Sequence, residues 1–171
     1  MQIADFKLLA RYNIWATIRL NQNLALISDD DFYKDCGLFF KSISGTLNHL
    51  LVGEHYLWFS HFTAGSSPQL ALNHIAITDR KTILSELNSR AENWLDYLDQ
   101  LDSQQLSSDL NYISSLGDAI CLPFSSTLVH VFNHGTHHRG QITASLSAMG
   151  YPCPELDLIY MLLEQAKNHP K

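Results

Sequence analysis

Apolar residues recur at three- and four-residue steps through most of this chain, the period of a helix that buries one face. Phe6, Leu9, Tyr12, Asn13, Ala16, Leu20 and Leu24 mark a first helix over residues 3 to about 27. Ser28, Asp29, Asp30 and Asp31 end it or cap a short following turn. A connector at residues 36–40, containing Gly37, leads to a second helix over residues 41–64 with Ser42 or Ser44 as N-cap. Its broad apolar face carries Ile43, Leu47, Leu50, Leu51, Leu57, Trp58 and Phe62, and Gly65 to Pro68 terminate it. After an irregular link at 69–76, Thr78 and Asp79 open a third helix running to about residue 101. Its inner stripe is Ile83, Leu87, Ala91, Trp94, Leu95 and Leu98.

The period changes at residues 107–121, where two short apolar runs flank Gly117 and Asp118; this predicts a β-hairpin or extended loop. Pro123 sits near the start of the last long helix, with Ser125 or Ser126 as cap, and Gly150 stops it near residue 148. Residues 155–167 form a short final helix, with Leu158, Met161 and Leu162 on the bundle. Four long amphipathic helices in 171 residues predict an all-α four-helix bundle occupying one domain, residues 1–171. The second link and the hairpin are longer than a minimal up-and-down bundle requires, so one or both carry a crossover.

Composition narrows the functional classes. A net charge of −6 with scattered Lys and Arg offers no basic patch for nucleic acid. No apolar run is long enough to span a membrane, and the first residues lack the pattern of a signal peptide. Cys36, Cys121 and Cys153 are odd in number and lack C-x-x-C spacing, as expected of reduced thiols in a cytoplasmic protein.

Histidine changes the picture most. Four of nine lie in VHVFNHGTHHRGQ at residues 129–141. His134 and His138 are four residues apart, so on a helix they stand on one face and present two imidazoles to one ion. At about 100° per residue they lie on the near edge of the apolar stripe of Phe124, Leu128, Val131, Phe132, Ile142, Leu146 and Met149. His130 is further round, a candidate for an outer group near the site, and His137 faces water. Gly135 falls on the stripe, where a missing side chain lets a neighbouring helix approach. Gln141, three residues beyond His138, can reach a bound water or ligand. His49 holds a similar edge position on the second helix. A lone histidine at a helix edge is ordinarily a hydrogen-bonded boundary residue, but an i,i+4 pair joined by a third points to metal. His55, His61, His74 and His169 are assigned to surface or loop. Tyr12, Trp15, Trp58, Phe59, Trp94 and Phe132 are assigned to the core.

Three stretches resemble the DinB family of DinB/YfiT-like metalloenzymes: ARYNIWA at residues 10–16, SISGTLNHLLVGEHYLW at 42–58, and HVFNHGTHHRGQ at 130–141. The resemblance implies a four-helix bundle with a divalent metal held by His49, His134 and His138. It also implies a thiol-dependent S-transferase or related enzyme acting on a small molecule, with a low-molecular-weight thiol as partner, and a homodimer.

Three neutral histidines leave a coordination position open, which suits catalysis better than a closed structural site. The ion would lower the pKa of a bound water or thiol. Zinc is the default, with nickel, iron or manganese open, since imidazoles do not select among them. Transferase and hydrolase chemistry are both compatible with this donor set. The alternative is a non-catalytic metal-binding or stress-response bundle with a structural or sensory ion, and a weaker one is an interaction module without metal.

Overall fold

The computed structural model describes residues 1–168, so His169 lies outside the described residues. Four long helices form the body: α1 (Ile3–Leu24), α3 (43–64), α4 (Arg80–Asp99) and α5 (Phe124–Ala148). The short α2 (Asp29–Tyr33) follows α1, capped by the Ser28 side chain on the Asp31 amide. The first helix ends at Leu24, three residues before the expected limit, and the chain turns through Ala25 and Leu26 into that cap. Antiparallel strands β1 (Asp109–Ile113) and β2 (Ala119–Pro123) form the hairpin, with Gly117 at φ 90° in its turn. A final helix, α6 (Leu158–Asn168), lies against α1, where Trp15 and Arg19 both bond the Glu164 carboxylate. Met161 is buried there, whereas Leu162 faces outward rather than onto the bundle.

The Ser125 and Ser126 side chains do not cap α5. Pro123 is its N-cap residue, and Ser125 bonds the Leu106 carbonyl instead. Proline needs no side-chain cap to start a helix, because its fixed φ already suits the first turn. Ser42 does cap α3, accepting from the Gly45 amide.

The long helices are not arranged in simple sequence order. α1 packs chiefly along α4 and α5, and α3 packs against the same two, so the first two long helices face each other diagonally. The link between α3 and α4 makes this possible, and Asn48 holds it. The Asn48 side chain accepts from the amides of Ala76 and Ile77 and donates to the carbonyls of Ser44 and Ile77.

α3 departs from ordinary helix geometry. It runs as α-helix over Ile43–Leu50, as π-helix over Leu51–Trp58, and as α-helix again over Phe59–Ala64. A π segment takes more residues per turn, so a projection at 100° per residue loses phase after Leu50. Every residue from Ser42 to His55 is buried, because α4, α5 and the link surround the helix. His55 is therefore interior and not a surface group, and burial holds its pKa down at about 4.

The apolar interior falls into two parts. One contains Leu20, Leu24, Phe32, Leu47, Leu51, Ile83, Ile142 and Leu146. The other contains Phe6, Ala10, Phe62, Trp94, Leu98, Leu128 and Phe132. Along α1, α3 and α5 the buried polar residues Asn13, Glu54 and Arg139 sit between these two sets.

Two expectations follow. Asn48→Ala removes a clasp with both amide groups engaged and leaves the part-buried amides of Ala76 and Ile77 without that partner, which lowers stability by roughly 1–3 kcal/mol in urea unfolding. His55 stays neutral in the fold, while in the unfolded chain it takes a proton near its ordinary 6.5. Its depressed pKa thus contributes stability that is complete above pH 6.5 and falls away toward pH 4, by about 3 kcal/mol. Denaturant midpoints measured across this window should drop with pH, and His55→Leu should flatten the slope.

Candidate metal centre

α3 and α5 bring His49, His134 and His138 together. One ring nitrogen from each lies within 4.8 Å of the other two, and the Nε2 atoms of His49 and His134 are 2.9 Å apart. His49 and His138 are buried, and His134 is partly so. Edge geometry on α5 therefore selects the residues that converge, and His137 is exposed as expected. His49, placed by the helical projection at an edge of α3, is buried, with its ring at the wall of a cavity.

Each imidazole is anchored through Nδ1. His49 donates to the Leu72 carbonyl at 2.9 Å, His138 to Gln141 Oε1 at 2.7 Å, and His134 to Glu54 Oε1 at 3.4 Å. An acceptor on Nδ1 fixes the tautomer and leaves the Nε2 lone pair facing inward. Two ring nitrogens at 2.9 Å need either a shared proton or a cation between them. Burial lowers the pKa of His49 and holds that of His138 at about 4, so both favour the neutral, metal-binding form. The donor set thus fits a divalent ion, and neutral imidazoles suit zinc, iron, nickel and copper alike. Gln141 acts as an anchor of His138 rather than reaching past it.

Behind His134 lies a buried polar layer. Burial works against the charge of Glu54, but the His134 hydrogen bond and the neighbouring His55 and Arg139 outweigh it, and its pKa is lowered. Arg139, also buried, donates to Asn13 Oδ1. These groups crowd against Gly135: a Cβ there would lie 2.7 Å from Glu54 Oε1, 2.9 Å from Arg139 Nη1 and 3.0 Å from Asn13 Oδ1. The absent side chain on the apolar stripe of α5 admits this layer.

On the opposite side, Phe40 stacks on His49 with ring centroids 3.8 Å apart. Residues 36–40 are more than the plain connector expected from their sequence. The segment is held by a Leu38–Lys41 bridge with Lys41 at φ 72°, a conformation that non-glycine residues rarely adopt. Gly45 lets it approach, since a Cβ there would meet the Phe40 carbonyl oxygen at 2.0 Å. Only the aromatic pair Phe39–Phe40 beside Gly37 hinted at this in the sequence. Glu54 carried no signal either, because an isolated glutamate on a helix is usually solvated.

A cavity of about 400 Å³ opens beside the convergence point. His49 and His134 form one side, and Trp58, Leu72, Tyr112, Ser115 and His130 contribute to the rest. His61 also lines it and is buried, bonding Ser67 through Nε2 at 2.8 Å, so it is not a surface histidine. Trp58 is a cavity wall more than a core residue. His130 faces the cavity mouth, and His74 is exposed in the link.

Gly135→Ala is expected to displace the Glu54–Arg139 layer and to lower stability by roughly 1–3 kcal/mol, as overpacking does. Thermal unfolding measures it, and a Gly140→Ala control, where a Cβ meets nothing within 4 Å, leaves stability unchanged or raises it by up to about 1 kcal/mol.

Comparison with known proteins agrees with this architecture. The DinB protein of Bacillus subtilis strain 168 is 29% identical over 174 residues, covering 97% of this chain and 99% of that one. The structure of YfiT from Bacillus subtilis superposes with a TM-score of 0.65 at 14% identity, covering 84% of this chain and 87% of that one. YfiT is described as a probable metal-dependent hydrolase with an unusual four-helix bundle topology. The sequence profile of the DinB family matches residues 1–168. With that match over nearly its whole length, the chain belongs to the DinB family.

Proposed function

We propose that this protein is a divalent-metal-dependent enzyme in which His49, His134 and His138 hold the ion and the adjoining cavity receives a small-molecule substrate. The observation that carries it is the set of three converging ring nitrogens, each on an imidazole held through Nδ1, with His49 and His134 at the wall of an open cavity. When bound, the ion supplies Lewis acidity, which activates a nucleophile near neutral pH. The description of YfiT supports hydrolysis, with water as nucleophile; transfer to a thiol uses the same activation.

The chain's own groups have separate tasks. The Leu72 carbonyl and Gln141 hold the rings of His49 and His138 in orientation. Glu54 raises the basicity of His134 by accepting its Nδ1 proton. Phe40 covers the His49 ring and keeps water from that side. Trp58 and Tyr112 wall the space in which substrate would sit. A structural or sensory ion needs no such space, so the cavity favours catalysis over the non-catalytic alternative.

Elemental analysis and zinc titration of the purified protein test the site. Single Ala substitutions at His49, His134 or His138 are expected to weaken zinc binding by at least about a hundredfold, while His137→Ala leaves it unchanged. Glu54→Gln is expected to weaken it about 10- to 100-fold, the usual effect of losing a carboxylate partner of a ligating histidine. Equal loss in His137→Ala and His138→Ala would overturn the assignment.

A further inference from the structure

The cavity beside the three histidines has a distinctive lining. Trp58 stands at its centre, with the rings of His61, Tyr112 and His130 at 5.3, 5.8 and 5.2 Å from it. His61 and Tyr112 lie almost in contact, with centroids 4.1 Å apart. Leu57 and Leu72 add aliphatic surface, and Ser114, Ser115 and Tyr112 are the hydroxyl-bearing residues of the lining. Among the described residues, no Asp, Glu, Lys or Arg lines the space. Glu54 and Arg139, the nearest charged pair, lie behind His134 and are not part of its wall.

Trp58 and His130 also border a second depression of about 360 Å³, whose other walls include Leu122 and Pro123. The two spaces therefore share Trp58 and His130 as a common aromatic wall.

We propose that this cavity binds the uncharged, flat apolar part of a small aromatic substrate, leaving only the reacting group to meet the ion. The inference rests on the metal-site reading for the position of that reacting group, but the ligand class follows from the walls alone. Away from the ion's position, a charge moved into this space loses hydration and meets no charged Asp, Glu, Lys or Arg side chain, whereas an aromatic ring gains faces to stack on. A free amino acid or peptide thiol would bring carboxylates for which the walls away from the ion offer no Lys or Arg partner. Neutral substrates therefore fit the cavity better than carboxylate-bearing thiols.

Three probes sharing one ring system test it: 1-naphthamide, 1-naphthalenesulfonate and 1-naphthylmethylammonium. Calorimetric affinities are measured at pH 8, where ordinary imidazoles are neutral, on the metal-free and the zinc-loaded protein. In the metal-free protein the amide is expected to bind at least about tenfold more tightly than either ion. Trp58→Ala is expected to weaken the amide about tenfold in both forms. Ser115→Arg, which adds a cation to the wall, is expected to shift the preference toward the sulfonate; circular dichroism confirms that each variant is folded. Equal affinity for a charged probe in the metal-free protein, or no effect of Trp58→Ala in a folded variant, overturns the ligand class. Failure to retain zinc overturns the metal-site reading instead, and leaves the probe preferences standing.

Discussion

A buried carboxylate sets the terms for the middle of this bundle. Glu54 is almost fully enclosed, and an isolated charge in that position is costly by several kcal/mol. Its neighbours remove the penalty: His134 donates through Nδ1, and Arg139 supplies positive charge. Arg139 is in turn bonded to Asn13 on α1. Three helices are thereby tied at one level, between two apolar regions that have no polar requirements of their own. Apolar packing drives association, but it tolerates sliding. A polar layer that must be satisfied fixes the register of α1, α3 and α5 against one another.

The same layer reaches the surface of the site. Because Glu54 fixes His134, the interior charge network and the orientation of one candidate ligand are a single structure. The other two rings have independent anchors, a backbone carbonyl in the α3–α4 link and an amide one turn away on α5. The link is itself clasped by Asn48, one residue before His49. Orientation is thus imposed from rigid helices and from a pinned loop, the arrangement that keeps a site in place without its ligand.

The π segment of α3 joins these features. It begins two residues after His49 and contains Glu54, His55 and Trp58. Its extra residues per turn turn Glu54 toward α5 while Trp58 faces the cavity. Such segments recur where a helix must present side chains that an even 3.6-residue period would scatter. The buried carboxylate, the enclosed His55 and the cavity's Trp58 all lie within this segment of altered winding.

Much of this was legible in the sequence. The helical periods, the Ser28, Ser42 and Asp79 caps, the hairpin around Gly117 and the i,i+4 histidines depend on neighbours a few residues apart, and local patterns report them well. Even His49 and Gly135 were visible, because each breaks the pattern of its own helix face. What only the tertiary structure decided involves distance in the chain or a change of period. His55 and His61 went inside because α3 is surrounded and π-wound, and neither condition leaves a mark in a 100° projection. Phe40 reached His49 through a turn strained at Lys41, which carries no glycine to announce it. Glu54 found His134, 80 residues away, because two helices met at a glycine. Sequence period fixes which face of a helix is buried; only the packing of the helices fixes which groups that face will meet.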